Sequence, residues 1–191
     1  RGLGDVYKRQ NGVWQHMCFT GGEPLMKHAQ KAVPDLLRAF KDDEYNMPES
    51  VTFETNGTQE LTPAFTNFFT NRGLFDQELF FSISPKLETV SGEKKAKAIK
   101  PDVIKSYRML SKHGQIKFVL GAEERQWEEM EDVLSDLRSV GVDYPVWIMP
   151  VGALAEQQEE TAGEVAQKAF KRGYNVTAVC LGAFQGKHIF R

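Results

Sequence analysis

Three short polar segments of this 191-residue chain follow apolar, β-prone runs, and each offers groups suited to a charged ligand. The first is Thr20-Gly21-Gly22-Glu23-Pro24, after the run that ends at Phe19. Two glycines let backbone amides and carbonyls approach a ligand closely, and Glu23 sets an anion beside them. A carboxylate and a glycine carbonyl can both accept hydrogen bonds from an ammonium group. The second is Glu54-Thr55-Asn56-Gly57-Thr58, a carboxylate leading into an Asn-Gly turn. In the third, Ser84-Pro85-Lys86, the lysine could neutralise a ligand carboxylate and the serine could donate to it. Each has a plain structural reading as well: a turn with Pro24 at the first helical position, an Asn-Gly turn, and a proline-ended strand with a surface lysine. Their recurrence at three successive strand ends carries the signal, because parallel α/β proteins keep their working groups at the C-terminal ends of strands.

The elements that must position these groups alternate along the chain. Strands are expected at Val13–Phe19, Val51–Glu54, Leu79–Ser84, Gln115–Leu120, Pro145–Met149 and Val176–Leu181. Between them lie stretches of helical period, so the expected class is α/β with a parallel sheet. Leu25, Met26, Ala29, Val33, Leu36, Leu37 and Phe40 make one stripe, which Pro34 is expected to kink or restart. Thr62 and Pro63 read as N-cap and first residue of a helix that carries Phe65, Phe68 and Phe69. A helix from Pro101 turns Val103, Ile104, Tyr107 and Leu110 to one side and is expected to stop at Gly114. The clearest stripe is Trp127, Met130, Val133, Leu134, Leu137 and Val140, with acidic residues in its first turn and Gly141 as its stop. A last helix, about Glu159 to Arg172, points Val165, Ala169 and Phe170 inward and ends at Gly173. The lysine-rich stretch Glu93 to Lys100 reads as a solvated loop without a binding role.

Length and charge restrict the function classes. One domain is expected over 11–191, with 1–10 set aside as a non-native or disordered lead. A net charge of −2 gives no basic surplus for nucleic-acid backbone, so no nucleic-acid partner is expected. No apolar run nears the roughly 20 residues that span a bilayer, so no membrane association and a cytoplasmic location are expected. Cys18 and Cys180 stand far apart in apolar surroundings and read as buried thiols, neither a disulfide framework nor a ligand pair.

The ordered trio, with Thr20 directly before the glycines, resembles the radical S-adenosylmethionine (SAM) family and, within it, the 7-carboxy-7-deazaguanine synthases of queuosine and related deazapurine biosynthesis. Gly-Gly-Glu-Pro alone points to radical SAM enzymes in general; the trio is more specific, and the resemblance runs from about Val13 to Gly173. It implies a partial (β/α)6-type radical SAM barrel lacking its first βα unit and cluster loop. It implies SAM contacts at Gly22, Ser84, Pro85 and Lys86, with Gly21 and Glu23 in the turn that holds the methionyl amine and Glu54 facing the same cavity. Met149-Pro150-Val151-Gly152 is similar to a further SAM-contacting segment, where the family often has Gln and Asp. Thr20 would touch the substrate, 6-carboxy-5,6,7,8-tetrahydropterin. The implied reaction is a ring contraction with loss of ammonia to 7-carboxy-7-deazaguanine. It would use a [4Fe-4S] cluster, SAM, Mg2+ and an electron donor such as flavodoxin, in a homodimer.

The chain departs from the family where the cluster should be. The family's three ligating cysteines lie in a C-x3-C-x2-C-like loop, and no such triplet occurs here. That loop, the magnesium ligand and part of the pterin pocket are expected to lie in a missing N-terminal segment, and the chain as given is expected to have no turnover. Residues 179–191 do not resemble the family's closing stretch, and neither Lys187 nor His188 is assigned a role. Three alternatives stay open: another radical SAM enzyme of activase type, a scaffold without its cluster, and a Rossmann-like nucleotide-binding module. Against the last, neither G-x-G-x-x-G nor a P-loop motif occurs, and Glu23 would repel phosphate.

Overall fold

The computed structural model describes residues 16–42, 47–152 and 155–177. Six strands, β1 His16–Phe19, β2 Ser50–Thr55, β3 Glu78–Ile83, β4 His113–Leu120, β5 Val146–Pro150 and β6 Asn175–Val176, form one sheet. All neighbours pair in parallel and the order is sequential, β1-β2-β3-β4-β5-β6. The expected strands are present with shifted ends, and the parts at 13–15 and 178–181 lie outside the described residues. No helix of the described residues is long and apolar enough to cross a membrane.

Each strand connects to the next through helix: α1 Lys27–Asp42, α2 Pro63–Thr70, the short α3 Glu88–Ser91 and α4 Lys95–Ala98 followed by α5 Pro101–Leu110, α6 Glu124–Ser139, and α7 Ala155–Lys171. Parallel crossovers are right-handed, so a sequential order places every helix on one face of the sheet. Strand composition obeys this. Phe19, Phe53 and Phe81 stand in one register row facing the helices, with ring centroids 5.1 Å apart for Phe19–Phe53 and 6.0 Å for Phe53–Phe81. Glu54, Ser82 and Gln115 stand in a row on the opposite, helix-free face. A period of two thus divides each strand between an apolar core and a polar face.

Several local expectations hold for stated reasons. Thr62 caps α2 by accepting from Phe65 N at 3.3 Å, and Phe65, Phe68 and Phe69 are buried. In α6 and α7 the chain exits through the same paired bonds, Gly141 N to Arg138 O with Val142 N to Leu137 O, and Gly173 N to Phe170 O with Tyr174 N to Ala169 O.

Others need correction. Helix α1 runs through Pro34 without a break, since Pro34 is buried and packing offsets its missing hydrogen bond. The expected apolar stripe is narrower in the structure, with Met26, just before α1, and Leu36 both exposed. Phe170 is exposed too: Val165 and Ala169, four residues apart, make the inward line of α7. Cys18 is exposed rather than buried. Gly114 does not end α5, which stops at Leu110; it lies inside β4, where a side chain would put Cβ 2.7 Å from Tyr144 Cζ and 2.8 Å from Phe81 O. The lysine-rich stretch contains α4, and its cations are engaged locally: Lys94 with Glu88, Lys95 with Asp136, Lys97 with Glu93, and Lys100 with Ala96 O.

Candidate functional site

The C-terminal ends of β1 to β5 enclose a cavity of about 280 Å³ on the helix-free face. Thr20, Gly21 and Gly22 line it from the turn after β1, Glu54 from β2, Ser84 and Lys86 from the end of β3, and Met149 from β5. The three polar segments therefore converge, and Gly22, Glu54 and Lys86 face one space. Gly21 and Gly22 have φ of +88° and +55°, and a Cβ on either would meet nothing within 4 Å. Their left-handed backbone thus presents peptide groups to open space, a surface that a side chain would cover.

Glu23 is placed differently from its neighbours. Its carboxylate accepts from Leu25 N at 3.0 Å, Thr55 Oγ1 at 2.8 Å and Asn56 N at 2.9 Å. It does not line the cavity; it ties the turn after β1 to the end of β2. The anion expected to receive a ligand ammonium is therefore spent within the protein. Tyr107 supports the same region from below, donating its hydroxyl to Gln59 O at 2.5 Å, and burial raises its phenol above the ordinary range.

Ser84 also departs from expectation. Its hydroxyl donates to Lys117 O at 3.0 Å, so toward a ligand it offers lone pairs rather than a proton. Pro85, Pro150, Val151 and Gly152 do not line the cavity. Pro85 and Pro150 are buried, and Val151 N continues the β4 pairing through Leu120 O at 2.8 Å.

Sequence reasoning gave Thr55 and Asn56 no individual role within the second segment and missed Ser82, Lys117 and Val119; these five complete the wall. Lys117 is the informative omission. Gln115, Lys117 and Val119 alternate with buried Ile116, Phe118 and Leu120, so a period of two within β4 already marks Lys117 as lying opposite the core. Its Nζ is 3.8 Å from Glu54 Oε1, and Glu54 Oε2 accepts from Thr20 Oγ1 at 2.9 Å. Cys18 is near this group. Although the residue is exposed, partial desolvation of its thiol and then the charge of Glu54 push it up to about 11, with Lys117 pulling the other way.

The residues present bear unequally on the implied cofactors. Open glycine peptides, a carboxylate lining the cavity and a lysine fit the zwitterionic methionyl end of SAM. They do not fit a [4Fe-4S] cluster: Cys18 is the only cysteine among the described residues, and its thiol stays protonated near neutral pH. Among the described residues no group of three or more His, Cys, Asp or Glu could hold a metal ion. Compared with protein-family models, with curated proteins and with solved structures, the chain matches none of them.

Proposed function

We propose that this chain supplies the SAM-binding wall, and part of the substrate wall, of a radical SAM lyase of the 7-carboxy-7-deazaguanine synthase type, acting on 6-carboxy-5,6,7,8-tetrahydropterin. One observation carries the reading: Gly22, Glu54 and Lys86, from three separate strand ends, face a single cavity. The all-parallel sheet with helices on one face agrees with a partial (β/α)6-type barrel. A Rossmann-like module would instead reverse its strand order at a switch point, and the six described strands run in sequential order.

In this reading the Gly21–Gly22 peptides and Glu54 accept hydrogen bonds from the methionyl ammonium, and Lys86 neutralises the methionyl carboxylate. Ser84 accepts a hydrogen bond from a ligand hydroxyl, because its own proton is committed to Lys117 O. Val119 and Met149 give the nucleoside an apolar surface. Thr20, oriented by Glu54, touches the pterin. When bound, SAM supplies the 5′-deoxyadenosyl group that the family uses to take hydrogen from the substrate. The cluster required for that step has no ligand set among the described residues, so the proposal gives this chain binding and positioning but no turnover of its own.

The test is thermal protection of the purified 191-residue chain. SAM at about 100 times its Kd contributes about 2.7 kcal/mol, which for a chain of this size raises Tm by about 5–11 °C. ATP should give no comparable shift, and Lys86→Ala should abolish the SAM effect without lowering the unliganded Tm, since Lys86 is exposed. Equal protection by ATP, or none by SAM, removes the proposal.

A further inference from the structure

The proposed function leaves one charged group in the cavity unused. Lys117 projects from the middle of β4 into the wall with a side chain only 20% exposed. Among the described residues its ammonium donates no hydrogen bond; its partner is Glu54 at 3.8 Å, beyond hydrogen-bond reach. An ammonium has three donors, and one that is largely withdrawn from water without acceptors is costly unless an anion completes its shell. Glu54 completes it only in part, since its Oε1 stands 3.8 Å away and its Oε2 is turned to Thr20.

Charge balance gives the sign of the missing group. Lys86, Lys117 and Glu54 are the ionised groups lining the cavity, two cations to one anion. SAM, with an ammonium, a sulfonium and one carboxylate, brings a further net positive charge. Filling this wall with SAM alone therefore accumulates like charge in a confined space, where screening is weak. A second ligand bearing a carboxylate would relieve it, and Lys117 is the cation that the methionyl end does not engage.

Resting on the proposed SAM site, we propose that Lys117 is a substrate-positioning residue that binds the carboxylate of the pterin, and that through it SAM and the carboxylated pterin bind with positive coupling. Thr20, Glu54 and Lys117 then act as one line of groups, a hydroxyl for the pterin ring, an anion shared with SAM, and a cation for the pterin carboxylate. Specificity for the carboxylated over the uncarboxylated ring follows from leaving Lys117 with only the distant Glu54 carboxylate, and no hydrogen-bonded anion, when the pterin carboxylate is absent.

Calorimetric titration of the full chain with SAM tests this, alone and with saturating 6-carboxy-5,6,7,8-tetrahydropterin or plain tetrahydropterin. The carboxylated pterin should tighten SAM binding by about tenfold, within the usual range of site–site coupling, and plain tetrahydropterin should not. Lys117→Gln should erase that difference, and Lys117→Arg should keep most of it. Equal coupling by both pterins, or coupling unchanged in Lys117→Gln, overturns this inference alone while the SAM site stands. Absence of SAM binding in the parent chain overturns the proposed function and this inference with it. The comparison of two pterins on the unaltered chain needs no variant to fold.

Discussion

Replacing Glu23 probes whether the turn after β1 is held in place by its own carboxylate. Three donors converge on that group, two on Oε1 (Leu25 N and Thr55 Oγ1) and one on Oε2 (Asn56 N). Hydrogen bonds to a charged acceptor contribute about 1.5–3 kcal/mol each when buried. Glu23 is half-buried, and water can re-pair some of the donors after truncation, so about 1 kcal/mol each is the better figure, giving ~3 kcal/mol for Glu23→Ala. At about 2–4 °C per kcal/mol for a chain of this length, Tm should fall by about 6–12 °C. Glu23→Gln separates charge from shape. Its amide keeps one oxygen for Leu25 N and Thr55 but sets an NH2 against Asn56 N, so its loss should be about half as large. Differential scanning calorimetry reads the stability, and repeating the SAM titration reads the site. SAM protection should fall with Glu23→Ala even though Glu23 does not line the cavity, because Gly21 and Gly22 would lose their tie to β2. A variant that melts within about 1 °C of the parent and keeps SAM protection would show that the turn holds its shape without the carboxylate.

Gly114→Ala should lower Tm markedly, by about 4–8 °C for a ~2 kcal/mol overpacking cost, because the new Cβ meets Tyr144 and the Phe81 carbonyl below 3 Å; a thermal melt equal to the parent's would refute that close approach. The Cys18 thiol, raised to about 11, should alkylate with iodoacetamide at pH 8 about 100-fold more slowly than an unperturbed thiol, as followed by peptide mass in a Cys180→Ser background; an ordinary rate would contradict the raised value. Its linkage has a definite sign: the folded state holds the proton that an unfolded thiol releases near 9, so this group costs stability as pH rises from 9 toward 11, and Cys18→Ser should remove that loss in urea melts. Incubated anaerobically with iron and sulfide, the chain should show no [4Fe-4S] absorbance and return the carboxylated tetrahydropterin unchanged; a stable cluster with turnover would place ligands where the described residues have none.

Much of the architecture was legible because strand and helix periods differ and each leaves its own pattern. Alternation within β4, the cap at Thr62-Pro63 and the exits at Gly141 and Gly173 are local devices, and the structure contains each of them. What was misread depended on distant partners. Gly114 looks like a helix stop from its neighbours in sequence, yet its constraint is Tyr144, thirty residues on. Pro34 looks like a break until the burial of α1 is known, and Phe170 looks like core until the inward line of α7 is seen to be Val165 and Ala169.

At the site the division is the same. The chain's own order of residues determined which chemical groups stand at successive strand ends: paired glycines, carboxylates, a serine and a lysine. Tertiary structure alone decided how they are spent. Glu23 turns to Thr55 and Asn56, Ser84 donates its hydrogen bond to Lys117 O, and Lys117 comes within 3.8 Å of Glu54 although 63 positions separate them. Local sequence fixes the donors and acceptors that a segment carries, but the partner that satisfies each one is set by which strands the parallel sheet makes neighbours.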